Sequence, residues 1–180
     1  MKLEITGDKH GTERYRKNSK IVKKIKNPFK GLEGYNCFGC SPDNPIGLRL
    51  DFVDEGEYIK TTWNPGDEYQ GYNNVLHGGI QSTLMDELAS WYVYARLKTA
   101  GVTSKMEIRY KKPVYTNKGE ITVYAKLIAM NRNLADIGVE LFDHEGKLCA
   151  TGIIQYFTFN EQTARKQFFY PGPDAFYEDE

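Results

Sequence analysis

Val75-Leu76-His77-Gly78-Gly79-Ile80-Gln81-Ser82-Thr83-Leu84-Met85-Asp86-Glu87 decides how this chain reads. Ile80, Leu84, Leu88 and Trp91 recur at helical spacing, so the glycines open an amphipathic helix. The pattern carries that helix from about Gly78 to Ala100, with Gly101 as its stop. A glycine-rich first turn leaves bare backbone N–H groups at the positive end of the helix dipole. At about 100° per residue, the step from Gly79 to Asp86 returns nearly to the same face, which puts a carboxylate on the glycine side. Amides that hold a carbonyl oxygen, beside an acid that attacks or activates water, are the outline of acyl transfer. Asp86 shares its stripe with Gly79, Ser82, Thr83 and Ser90, all small or hydroxyl-bearing, where a solubilising face would carry Lys and Glu. Glu87 is the rival acid, but it points about 100° away.

Beyond this helix the chain is strand-rich. Leu48, Leu50 and Phe52 alternate with Arg49 and Asp51, then Asp54-Glu55-Gly56-Glu57 turns into a second strand over Tyr58 to Trp63. Three strands are expected after the helix. Val102, Met106, Ile108 and Tyr110 mark the first, Ile121, Val123, Ala125 and Leu127 the next, and Asp143-His144-Glu145-Gly146 joins the last two as a hairpin. Two strands, one long helix and several antiparallel strands make an α+β order, which a sheet wrapped around one central helix satisfies. The periodicity alone does not choose this over another α+β sheet.

Composition narrows the function classes. The chain has 180 residues, 40% hydrophobic and 13% aromatic, enough for one domain with a real core. Its 24 basic and 24 acidic residues cancel, so no global charge draws it to nucleic acid or to a membrane. No apolar run is long enough to span a bilayer, the start lacks a signal-peptide core, and an odd count of three cysteines does not make a disulfide framework. A cytoplasmic location is the default expectation. Residues 1–30 hold ten Lys or Arg against three Asp or Glu and are expected to form a basic N-terminal extension, or a short helix packing Ile21, Val22 and Ile25. No recognition motif accompanies that charge. The body is then placed at 31–160, with 161–180 as a C-terminal surface tail.

His77-Gly78-Gly79 with Asp86 nine positions after the histidine resembles the signature of hotdog-fold acyl-CoA thioesterases of the PaaI-like group. The resemblance runs from Cys37 to about Phe159 and includes Asn44-Pro45-Ile46-Gly47-Leu48 and Gly146-Lys147-Leu148-Cys149-Ala150. It implies a hotdog fold and hydrolysis of an acyl-CoA thioester without a cofactor. In its terms Gly79 N–H, with Gly78, polarises the thioester carbonyl, Asp86 is nucleophile or general base, and Ser90 places water. Many relatives carry Asn or Gln six residues before the histidine, where this chain has Gly71, so Gln70 is taken as the substitute. Arg109, Lys111 and Lys112 are candidate contacts for the coenzyme A phosphates, although each also reads as a solvated strand edge. Asn74 is a further substrate-binding candidate. The resemblance also implies a two-fold homodimer in which the glycine amides of one subunit face Asp86 of the other, with a dimer of dimers as the larger form.

Other readings are weaker. His77 fits a helix cap at least as well as a proton carrier. Cys37-Phe38-Gly39-Cys40 lacks a second pair for zinc and the following helix of a redox dithiol, so it reads as a tight turn with two small buried side chains and no metal. No G-x-S-x-G elbow, P-loop or dinucleotide glycine motif occurs. The alternative function is a non-catalytic acyl-CoA-binding module, but the segment ahead of Gly31-Leu32-Glu33-Gly34 is short for a DNA-binding partner domain.

Overall fold

The computed structural model describes residues 22–177. In chain order these form β1 (Lys23–Ile25), β2 (Phe52–Asp54), β3 (Ile59–Trp63), a small hairpin of β4 (Gln70–Tyr72) and β5 (Val75–Leu76), and the long helix α1 (Gly78–Arg96). Then come β6 (Gly101–Tyr110), β7 (Ile121–Asn131), β8 (Leu134–Phe142), β9 (Leu148–Thr158), α2 (Glu161–Phe168) and a 3-10 turn at Pro173–Phe176. Seven strands make one antiparallel sheet in the order β1-β2-β3-β7-β8-β9-β6.

The sheet curls around α1, which packs against β3, β6, β7, β8 and β9. Leu84, Leu88 and Trp91 form its buried stripe, as the 3.6-residue period requires, and meet Ile59, Val123, Ile137, Val139 and Ile154 from alternate positions on the strands. Trp91 stacks on Phe52 with ring centroids 4.4 Å apart. This is the α+β hotdog arrangement, with the helix as the filling. Among the described residues no helix is long and apolar enough to cross a membrane.

Several expected boundaries move, each for a local reason. The helix ends at Arg96 rather than Ala100 because Lys98 adopts a left-handed backbone, φ 58°, and Gly101 already belongs to β6. Four strands follow the helix, not three: Asn131 pairs with Leu134 across a two-residue turn at Arg132-Asn133, and Arg132 takes φ 55°. The alternating stretch Leu48 to Asp51 is not laddered strand. Leu48 N–H and Leu50 N–H donate instead to Phe38 O and Gly39 O, at 2.8 and 2.9 Å, and so seat the loop that carries Cys37 and Cys40.

Both ends of the described chain join the body. The expected extension over 1–30 contributes β1, with Ile25 buried against the core, so residues 23–25 form a strand rather than a short helix; Ile21 lies outside the described residues. The expected surface tail is anchored too: Ala164, Tyr170 and Phe176 are buried, and Lys26 N–H donates to Phe176 O at 2.9 Å. Phe29, Tyr94 and Phe176 form a ring cluster that joins the two ends over α1.

Candidate active site

His77 caps α1, its Nδ1 accepting the Gly79 N–H at 2.9 Å. That bond occupies the amide expected to face substrate. Among the described residues no acceptor meets the Gly78 N–H, so of the two glycine amides the available donor is Gly78 and not Gly79. Gly78 O is also engaged, accepting from Tyr110 Oη at 2.8 Å and from Ser82 Oγ at 3.1 Å. Tyr110, on β6, thereby fixes the first turn.

Asp86 stands two turns further on and is half-buried. Its Oδ1 accepts from Tyr156 Oη at 2.7 Å and from Thr103 Oγ1 at 2.9 Å. Tyr156 Oη also lies 2.9 Å from the Asp86 carbonyl oxygen. Burial, and next the Asp86 charge, hold the Tyr156 phenol above its ordinary range, so it stays a proton donor to the carboxylate. Among the described residues Asp86 Oδ2 has no partner. One oxygen is thus oriented by two hydroxyls while the other is left without one.

The glycine end and the acid share a face, but not a reach. Eight residues at 1.5 Å each separate Gly78 from Asp86 by about 12 Å along the axis, far beyond the hydrogen-bond distance that one reacting carbonyl needs from each. The expectation that one helix supplies both groups to one groove does not survive this spacing.

The remaining candidates scatter. Gln70 Oε1 accepts Asn74 N–H at 2.8 Å, which ties both residues into the β4–β5 turn, where Asn74 has φ 59°. A Cβ at Gly71 would lie 3.2 Å from His77 Cδ2, so the ring rests against this glycine. Arg109 is exposed on β6, and Lys111 and Lys112 just beyond it are exposed with both N–H groups on Cys149 O. Ser90 lines a cavity of about 640 Å³, with Tyr35, Cys37, Cys40, Glu87, Trp91 and Tyr94, that Asp86 does not line.

Sequence reading missed Tyr156, Thr103 and Tyr110, because nothing in a strand's alternation marks which hydroxyl will face a helix. It also treated Glu87 as a rejected alternative to Asp86. Glu87 instead meets the cysteine turn: Cys37 Sγ donates to both its oxygens at 3.6 Å, and Trp91 Nε1 donates to Oε1 at 3.1 Å. Burial, followed by the Cys37 charge, pushes Glu87 up to about 7. The Cys40 side chain, working against burial, holds Cys37 down to about 5, helped by the backbone N–H groups of Cys40 and Gly39 that turn toward its sulfur.

Residues 73–150 match the family model described as thioesterase superfamily. Among solved structures, a thioesterase superfamily protein is 19% identical with a TM-score of 0.61, over 68% of this chain and 60% of that one, so the chain spans less than two thirds of it. A thioesterase from Haemophilus influenzae is 22% identical with a TM-score of 0.56, over 63% of this chain and 80% of its own. A hypothetical thioesterase protein from Streptococcus pneumoniae TIGR4, solved with coenzyme A, is 21% identical with a TM-score of 0.55, over 58% and 83%. No curated protein matches the chain significantly. The chain has the hotdog fold, and the segment that carries its glycine-headed helix and Asp86 is the part that matches the thioesterase superfamily.

Proposed function

We propose that this protein is an acyl-CoA thioesterase that hydrolyses a thioester to a free acid and coenzyme A. The observation that carries the reading is the Asp86 carboxylate, steadied at Oδ1 by Tyr156 and Thr103 and open at Oδ2. A surface acid would not need two hydroxyls to orient it. Asp86 takes a proton from water as the water oxygen bonds to the thioester carbon. Negative charge gathers on the carbonyl oxygen against the Gly78 N–H, at the positive end of α1. Collapse breaks the C–S bond, the electron pair goes to sulfur, and the proton held by Asp86 passes to the leaving thiolate. Attack by Asp86 itself, through a mixed anhydride, uses the same groups. The exposed Arg109, Lys111 and Lys112 are proposed to meet the coenzyme A phosphates.

The spacing along α1 calls for a second copy of the chain. β6 is a ten-residue strand at the end of the sheet with Val102, Met106 and Tyr110 exposed, and it lies beside both Asp86 and Gly78 through Thr103 and Tyr110. Pairing two β6 edges about a two-fold axis extends the sheet and brings the Gly78 amide of one subunit toward Asp86 of the other.

The test is Asp86→Asn, which keeps shape and removes proton-accepting capacity. Hydrolysis across a panel of short, long and aromatic acyl-CoAs is expected to fall at least about 10²-fold with binding little changed. A variant as fast as the parent would remove Asp86 from the mechanism. A parent that binds acyl-CoA and never hydrolyses it would mark a non-catalytic binding module.

A further inference from the structure

Cys37, Cys40 and Glu87 play no part in the proposed hydrolysis, yet they converge. Their sulfur and carboxylate atoms all lie within 4.8 Å of one another, although Glu87 comes from a helix remote in sequence from the cysteine turn. We propose that these three side chains form a binding site for a thiophilic divalent cation of the zinc class, with a fourth position open to the groove beside Ser90.

Geometry is the first argument. Tetrahedral zinc with Zn–S about 2.3 Å and Zn–O about 2.0–2.2 Å holds its sulfur and oxygen ligands roughly 3.5 Å apart. Cys37 Sγ stands 3.6 Å from both Glu87 oxygens. The carboxyl group can come this close only because residue 39 is glycine: a Cβ there would sit 2.4 Å from Glu87 Cδ. The turn is therefore shaped around the acid.

The surrounding groups are the second argument. Asn27 Oδ1 accepts Phe29 N–H at 3.1 Å, which fixes its amide so that Nδ2 donates to Tyr35 Oη at 2.9 Å. The phenol oxygen lies 3.0 Å from Cys40 Sγ, close enough to donate its hydrogen to a Cys40 thiolate. Trp91 Nε1 donates to Glu87, and the N–H groups of Gly39 and Cys40 turn toward Cys37 Sγ. Each of the three ligand groups thus has a polar neighbour in an outer ring, the arrangement that orients metal ligands. None of the residues lining the groove is basic, so nothing there balances the ligands' negative charge. A divalent cation would. It would also clamp the cysteine turn to α1 one residue from Asp86.

The experiment uses the full chain, stripped with a chelator and titrated with cobalt(II). One cobalt per chain, with thiolate-to-cobalt charge transfer and tetrahedral ligand-field bands that zinc abolishes, is the expected result. Zinc should raise the melting temperature in a concentration-dependent way. Glu87→Gln should weaken binding at least tenfold, Tyr35→Phe by roughly 10- to 100-fold as an outer partner, and Asp86→Asn not at all. Should Cys37→Ser fail to fold, the cobalt spectrum of the intact chain still decides. Cobalt bound without thiolate bands, no binding with both thiols reduced, or a Cys37–Cys40 disulfide in the purified protein would each overturn the proposal. None of these outcomes depends on whether the chain hydrolyses a thioester.

Discussion

At the scale of single residues, the candidate site is a set of hydroxyls and amides arranged around one carboxylate. Tyr156 is the residue whose removal is most informative, because it is buried and its only polar atom is spent on Asp86. Tyr156→Phe keeps the ring and the packing. It should lower kcat by about 10- to 100-fold, the range expected when a hydrogen bond to a charged group worth ~1.5–3 kcal/mol is lost, with KM and the melting temperature little changed. An equal loss in KM would place the tyrosine in substrate binding instead. Gly78→Pro is the matching change at the other end of the helix. Proline deletes the N–H and suits the first helical position, and His77, at φ −59° and ψ 134°, already has the backbone that a following proline requires. Hydrolysis should fall by about 10²–10³, as for loss of one oxyanion donor. Parent-like rates in a folded Gly78→Pro chain would show that this amide does not contact the reacting carbonyl.

At the scale of elements, what the sequence disclosed depended on how local the cause was. The start of α1 was legible because glycines, a capping histidine and an apolar stripe lie within a few turns of one another. The end of α1 and the turn at Arg132-Asn133 were not, since each rests on a non-glycine residue taking a left-handed backbone that tertiary packing enforces. The cysteine segment was read as a turn with two buried side chains, whereas only Cys40 is buried and Cys37 is half-buried; its partner Glu87 lies fifty residues away from Cys37 and no spacing rule connects them. β1 was hidden within a basic run whose one deeply buried described residue is Ile25. Because both ends of the described span, at Ile25 and Phe176, reach the core, shortening their side chains should be costly. Ile25→Ala is expected to cost about 2–5 kcal/mol and Phe176→Ala about 3–5 kcal/mol in urea unfolding, as for other large-to-small core changes. Values within experimental error of zero would return these segments to the surface.

At the scale of the whole molecule, the separation of Gly78 from Asp86 makes assembly a condition of the proposed mechanism. Co-expressing a Gly78→Pro chain with an Asp86→Asn chain tests it. In each mixed dimer one site inherits both defects and the other inherits neither, so random pairing should restore about a quarter of the sites when subunits share them. Activity no greater than the sum of the two separate variants, in a preparation shown to contain mixed dimers, would confine each site to one chain. The sheet that would hold such a dimer has two unlike rims. β6 offers ten residues, whereas β1, at the opposite end, offers three, two of them lysines. A three-residue rim with two lysines is a poor template for further strands, and a ten-residue one, whose Lys105 and Glu107 pair with each other, is a better template. A protein with two good rims could add copies without limit and grow into a fibre; with one, growth stops when the second copy arrives.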